Sequence, residues 1–404
     1  MMYKIRAIDQ LFFRSPVPFE AGGGSQLLSS YFPPSPNTYA GAFRMFLTEQ
    51  STKEKSKKIR IGYNGLLYQG AFCFPQPLDT LPVFESDSEV EKPFDLIKKH
   101  YALEKLIIKK APPSNFPLDY YLVRDPNGVK ENGKNKFPDD LYVSIATLKN
   151  YLAADEIPLS GFSLSDNLTK ESKLGIEIGT DGTTEDSMLY QIEMIRPKDE
   201  NGNDWELAVD VTGIETSETF DYVRLGGEGK VAQTEKMNQE FDMEISNSES
   251  EFFKLYFATP AIFAGGWFPR WIRKDMTGSF SFKGKKIEFK LLSAVVGKAK
   301  AVGGFDPNTK RPKELRYAVP AGSVYYFKIV GDSSIKDVKK MFHQKCLSDY
   351  REGYDSKHSE VYGFSRPKEV FDRIIYCDRG FGYALVGSVS KEQEEKLKCM
   401  KEEN

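Results

Sequence analysis

The sequence predicts an α+β fold with mainly antiparallel sheets, in two parts divided near residue 240. Three observations carry this. Segments with strand periodicity recur from the first residues to the last. Helical spacing is confined to a few short stretches. The two never settle into the regular βαβα order that a parallel sheet requires. A chain of 404 residues has room for roughly two or three cores of its own.

Taken in order, Tyr3, Ile5 and Ala7 alternate with Lys4 and Arg6, the period of a half-buried strand. The run LFFRSPVPFEAGGGSQLLSSYFPPSP is too rich in Gly, Ser and Pro for regular structure. Ser35-Pro36 then reads as an N-cap followed by a first-turn proline. Tyr39, Phe43, Phe46 and Leu47 follow at helical spacing, so a helix of about four turns is expected to near Gln50. Strand patterns recur at Gly65–Phe74, Leu174–Ile178, Leu189–Arg196 and Trp205–Val211, and Leu141–Asp155 reads as a strand or turn entering a helix. Residues 78–140 dissolve into Pro, Asn, Lys and Glu, the pattern of an insertion with little core of its own. Beyond the acidic Met243–Glu251, strands are expected at FFKLYFATPAIF, IEFKLLSAVVG and GSVYYFKIVG. Ile335–Ser348 reads as a helix with Ile335, Val338, Met341, Phe342 and Cys346 on its apolar side. A last strand, YALVGSV, sits behind Gly380-Phe381-Gly382.

Composition narrows the function classes. No apolar run approaches the ~20 residues of a membrane helix, and the start MMYKIRAIDQ lacks the apolar core of a signal peptide. Four scattered cysteines without a CxxC pair point to a reduced, cytoplasmic protein with no structural metal. The net charge of −2 hides an asymmetry. Glu171–Asp221 holds 14 acidic residues against 3 basic, whereas Trp267–Arg316 holds 13 basic against 4 acidic. The basic block is the electrostatic footprint to follow, although both blocks can also be ordinary solvated faces.

The stretch DYVRLGGEGK (Asp221–Lys230) puts glycines beside a lysine, as a phosphate loop does. A P-loop needs glycine where Arg224 stands and Ser or Thr where Val231 stands, so that pattern fails twice. Gly227, Gly229 and Ala232 match GxGxxA, but the charged residues that follow cannot open a buried dinucleotide-binding helix. No cofactor is expected. Of the three histidines, His343 lies three residues before Cys346 with no further ligand pair nearby, so a solvated or partly packed side chain is expected there. The basic block is more specific. GGWFPRWIRK interleaves Trp267, Phe268 and Trp271 with Arg270 and Arg273, and Val295–Gly322 sets lysines and arginines on a Gly/Pro-rich loop. Aromatic faces stack unpaired bases, cations neutralise phosphates, and glycines let a backbone approach. Each ring taken singly is equally at home in a core; together they favour single-stranded nucleic acid. The N-terminus of helix 36–50, beside the Gly-rich loop, adds a second anion-binding end.

With those residues in view, the sequence resembles a known family. LFFRSPVPFEAGGGS…YFPPSPNTYAGAFR, ESKLGIEIGTDGTTEDSMLYQIEMIR, the RLGGEG turn, FAGGWFP, RYAVPAGSVYYF and GFGYALVG occur in one order between residues 11 and 387. They resemble the third subunit of the type III-B CRISPR effector, the Cmr complex, in the crRNA-capping group of the RAMP superfamily. The resemblance implies tandem ferredoxin-like (RRM-like) domains, over 1–240 with the insertion at about 78–140 and over 241–404. It implies a non-catalytic scaffold that holds the repeat-derived 5′ tag of the crRNA, docks on the large polymerase-like subunit and starts the row of repeated backbone subunits. By motif, RNA contact falls on Arg14, Gly22, Gly23, Gly24, Ser35 and Arg44, then on Arg224, Gly226, Gly227, Gly229 and Lys230. The later blocks contribute Gly265, Gly266 and Trp267 with Arg270 beside them, and Lys298, Lys300, Arg316, Gly380, Phe381 and Gly382. The alternatives are the equivalent subunit of a type III-A complex and a RAMP crRNA-processing endoribonuclease. The latter generally uses a histidine in the N-terminal domain, and this chain has none before His100.

Overall fold

A computed structural model describes residues 1–14, 26–50, 56, 58–86, 94, 97, 99–112, 117–126, 128, 137–178, 184–214, 221–238, 241, 243–244, 250–282, 285–306, 311–313, 315–349 and 376–399. The chain makes two compact units whose segments interleave. One comprises Met1–Phe72, Ser165–Glu240 and Ala301–Tyr317; the other comprises Cys73–Leu164, Phe241–Lys300 and Ala318–Asn404. One boundary between the units falls between Glu240 and Phe241. Segment 78–140 is part of the second unit.

The first unit is built on five successive antiparallel strands, in the order Tyr222–Arg224 (β14), Val231–Lys236 (β15), Met2–Ala7 (β1), Trp205–Thr212 (β13) and Arg60–Tyr68 (β3). The expected alternation in β1 is real. Tyr3 and Ile5 are buried, with the Tyr3 ring 5.6 Å from Phe43 of helix α1 (Pro36–Gln50). Lys4 and Arg6 point to the other face, where Lys4 lies 3.2 Å from Glu235 and Arg6 3.1 Å from Asp204. Helix α1 runs where its spacing placed it, because Tyr39, Phe43 and Leu47 bury one stripe. It crosses over between β1 and β3, which run parallel with β13 between them, a split βαβ unit. Among the described residues between β13 and β15 there is no second helix; β14 and a glycine turn stand there. A second sheet pairs Thr169–Ile178 (β11) with Thr184–Arg196 (β12) and sets Gln26–Ser29 (β2) parallel to β12.

In the second unit Thr277–Phe282 (β17), Lys285–Val295 (β18), Val324–Val330 (β23), Phe252–Phe257 (β16), Tyr383–Ser388 (β25) and Lys345–Cys346 (β24) form an antiparallel sheet in that order. Strands β23 and β25 run parallel around β16 and are joined through a helix at Ile335–Phe342, here α3. The core collects Phe253, Phe257, Trp271, Phe289, Phe327 and Phe342. The earlier segment contributes Ala71–Pro75 (β4), Thr80–Ser86 (β5), His100–Lys105 (β6), Leu141–Ser144 (β9) and Leu159–Ser163 (β10), ordered β4-β9-β10-β6-β5. A hairpin of Ile107–Lys110 (β7) and Tyr120–Val123 (β8), and helix α2 (Ile145–Ala153) capped by the Ser144 hydroxyl, complete it.

Buried polar ties explain why this segment joins the second unit. Asp79 accepts from the Tyr151 hydroxyl at 2.7 Å and the Tyr326 hydroxyl at 2.5 Å. Tyr256 donates to the Pro75 carbonyl at 2.6 Å. Lys254 donates to the Tyr151 carbonyl at 2.9 Å and sits 3.5 Å above that ring; burial pulls its ammonium down to about 7. Polar composition marks where a chain can leave a core, but strand pairing decides which core it enters.

Two further expectations change at turns. The strand pattern 65–74 is two strands, because Gln69 and Gly70 take left-handed φ values of 50° and 76° and turn β3 into β4. The helix expected to reach Ser348 stops at Phe342, where His343 is extended and Gln344 is left-handed. His343 Nδ1 accepts the Val386 N–H at 3.1 Å and Nε2 lies 3.0 Å from the Met243 carbonyl. This histidine is therefore packed, and burial lowers it to about 4.

Candidate nucleic-acid interface

The RLGGEG turn joins β14 to β15 in the first unit. Leu225 is buried and its N–H meets the Lys230 carbonyl at 2.9 Å, closing the turn. Gly226, Glu228 and Gly229 all take left-handed φ. At Gly226 the reason is close approach as well as conformation. A Cβ there would stand 2.4 Å from the Phe12 carbonyl oxygen, to which the Gly227 N–H donates at 2.8 Å. The turn is thus seated on Phe12-Phe13, the residues just before Arg14. Phe13 in turn is fixed by the Ser30 hydroxyl at 2.9 Å and by the Tyr31 N–H at 2.8 Å. One part of the first unit therefore brings together Arg14, Arg224, Gly226, Gly227, Gly229 and Lys230. Arg14 and Arg224 are exposed; Lys230 lies 3.6 Å from Asp9.

The anchoring role of Phe12 and Phe13 was not read from the sequence, although both lie inside the block that carries Arg14. The glycines are partly explained by that anchoring. Gly229, by contrast, has nothing within 4 Å of an added Cβ and faces open space.

The start of α1 carries Ser35. Its carbonyl accepts the Thr38 N–H at 2.8 Å as an N-cap would, but its hydroxyl is buried and makes no capping bond. Asn37 donates to the Gly303 carbonyl at 3.4 Å. This bond ties the helix start to the Ala301–Tyr317 arm of the first unit, which holds the short strands Phe305–Asp306 (β20) and Arg311–Pro312 (β21) and the greater part of Lys300–Val302 (β19) and Arg316–Ala318 (β22). Arg316 is exposed on that arm beside Leu315 and Tyr317. Arg44 turns inward instead, donating to the Ile59 carbonyl at 3.0 Å, so its position is explained by the fold.

In the second unit Phe263–Gly266 form a tight turn in which the Gly266 N–H reaches the Phe263 carbonyl at 3.2 Å, and Trp267 follows it. Buried Asp349 gathers the N–H groups of Ala264 and Arg270 and holds the loop. Trp267 is half-buried, edge-on to Phe268 at 5.0 Å, and its carbonyl accepts from the Tyr325 hydroxyl. Trp271 is core, stacked on Phe342 at 5.3 Å. The aromatic interleaving is therefore mainly packing, with Gly265 and Gly266 as its exposed part. Lys298 and Lys300 are exposed in the same unit.

Gly380, Phe381 and Gly382 are buried, which corrects their expected place on a surface. The Gly380 carbonyl accepts from the Thr259 hydroxyl at 2.7 Å, and a Cβ on Gly382 would meet the Ser348 backbone at 2.8 Å. These glycines serve close backbone packing. Gly22, Gly23 and Gly24 lie outside the described residues. His100 is 1% exposed within β6, and among the described residues no group of three or more His, Cys, Asp or Glu could hold a metal. No helix among them is long and apolar enough to cross a membrane.

Compared with known families, residues 3–356 match the family described as CRISPR-associated protein (Cas_Cmr3). No curated protein matches. Similar solved chains include one in the cryo-EM structure of the Type III-B Cmr-beta bound to cognate target RNA, at 14% identity. That likeness covers 95% of this chain and 96% of that one, with a TM-score of 0.49. A second is in the same assembly bound to cognate target RNA and AMPPnP, at 14% identity over 90% and 93%, TM-score 0.45. A third is in the crystal structure of the Csm3-Csm4 subcomplex of the type III-A interference complex, at 12% identity over 82% and 94%, TM-score 0.32.

Proposed function

From its membership of the Cas_Cmr3 family of CRISPR-associated proteins, to which this chain belongs as a type III effector component, we propose that it is the non-catalytic scaffold subunit that binds the 5′ tag of the crRNA. In this reading it docks on the large polymerase-like subunit and begins the row of repeated backbone subunits. The observation that carries the RNA part is the seated glycine turn. Residues 225–230 hold a fixed turn against Phe12-Phe13, left-handed at Gly226, Glu228 and Gly229, with Arg14, Arg224 and Lys230 around it. A rigid turn with cations at its edge offers main-chain donors and positive charge to a phosphate without ordering a loop at the moment of binding.

Recognition then needs no bond chemistry. Lys230 exchanges its exposed partner Asp9 for a phosphate, a weak pair given up for a polyanion. Arg224 contacts the backbone on the other side of the turn. The start of α1 and the 301–317 arm, joined by Asn37 and Gly303, supply the second contact area. Burial of His100 leaves it no path to a scissile phosphate, which disfavours the endoribonuclease.

Filter binding of tag-bearing crRNA by the assembled complex tests this. Arg224→Ala and Lys230→Ala should each weaken binding and flatten the salt dependence by about 0.7 in log–log slope per lost phosphate contact. Thermal unfolding of both variants should match the parent. Affinity indifferent to salt, or unchanged crRNA retention in both variants, would refute the proposal.

A further inference from the structure

We propose that Tyr222 is the base-stacking residue that sets the register of the RNA strand on this turn, an inference that rests on the RNA-binding reading above and adds a residue to it. In β14, Val223 is buried while Tyr222 and Arg224 are exposed, so the strand's alternation puts the tyrosine and the arginine on one outward face. Pairing extends that face. Tyr222 stands opposite Gln233 of β15, which stands opposite Arg6 of β1; Arg224 stands opposite Val231. The other face of the same strands carries Val223, Ala232, Thr234 and Ile5, all buried on the α1 side.

Tyr222 is 53% exposed. Among the described residues it makes no hydrogen bond, ion pair or ring contact, so packing does not account for a large aromatic here. By strand rise Tyr222 stands ~7 Å along the strand from Arg224, three residues before the 225–230 turn begins. A nucleobase laid on that ring has the Gln233 amide beside its edge and Arg224 toward the backbone phosphate. Arg6 is held in place across the row by Asp204 and Glu206. A π face with a carboxamide on one side and a guanidinium on the other fits a single-stranded nucleotide.

The test is equilibrium binding of tag-bearing crRNA, and of a series with one abasic nucleotide at each tag position, to the assembled complex. Tyr222→Ala should weaken the intact RNA about 5- to 150-fold, and Tyr222→Phe should stay within about twofold of the parent. One abasic position should reproduce the loss, and should cost nothing further in Tyr222→Ala. If the parent binds with the expected salt dependence but Tyr222→Ala binds equally well, stacking is overturned and the RNA-binding reading stands. Equal losses in Tyr222→Ala and Tyr222→Phe, or abasic effects that add to Tyr222→Ala at every position, also overturn it. If the parent does not bind, the RNA-binding reading fails first.

Discussion

Alanine at Gly226 and at Gly229 probes what the glycine turn is for. The two positions have similar conformations, with φ of 86° and 64°, so each substitution carries the left-handed cost of about 1 kcal/mol. At 229 that is the whole cost, since nothing lies within 4 Å of the added Cβ. At 226 the Cβ would stand 2.4 Å from the Phe12 carbonyl oxygen and 3.0 Å from the Phe13 ring. Ordinary contact begins at 3.4 Å, so the turn must lift by about 1 Å (3.4 less 2.4). That same oxygen holds the Gly227 N–H at 2.8 Å, and losing this bond adds about 1 kcal/mol. Strain in moving the Phe12-Phe13 backbone adds about 1 kcal/mol more. Gly226→Ala should therefore lose about 3 kcal/mol in urea unfolding against about 1 for Gly229→Ala, with crRNA affinity falling further in the first. Equal losses in the two variants would refute the seating of the turn on Phe12.

Phe381→Ala should destabilise the protein by about 3–5 kcal/mol, because it empties a fully buried site beside Tyr376. Its measure is the urea midpoint, and a stable variant with lost RNA binding would return this residue to the interface. His343 predicts an acid-sensitive window. Its Nδ1 accepts the Val386 N–H, so protonation sets two donors against each other. With a folded value of about 4 against 6.5 in the unfolded chain, the unfolded state binds the extra proton between these values. This contribution is complete above pH 6.5 and lost as pH falls toward 4, by up to about 3 kcal/mol. His343→Gln should flatten stability across that range, and an unchanged acid slope would exclude His343 as its source.

The local elements were legible wherever one residue period faced one core. The alternation of β1 and the stripe Tyr39, Phe43, Leu47 on α1 need only a buried side and a wet side. Reading failed where long-range partners intervened. The helix after Ile335 ends at Phe342 because His343 and Lys345–Cys346 bond to β25, some forty residues on. Segment 78–140 looked coreless because its apolar residues are spaced among polar ones. Its placement comes from Asp79 meeting Tyr326, a bond across 247 residues.

The candidate site divides the same way. Residue type and order identified the family and the Arg224–Lys230 turn, since glycine beside cations is a composition that survives without knowing the fold. Only the tertiary structure separated glycines that face open space, such as Gly229, from those that let backbones pack, such as Gly382. It also sent Trp271 and Phe381 to the core, and Arg44 to a carbonyl. A sequence records what each residue can do. Burial and pairing, fixed by partners far away in the chain, decide which of those things it does.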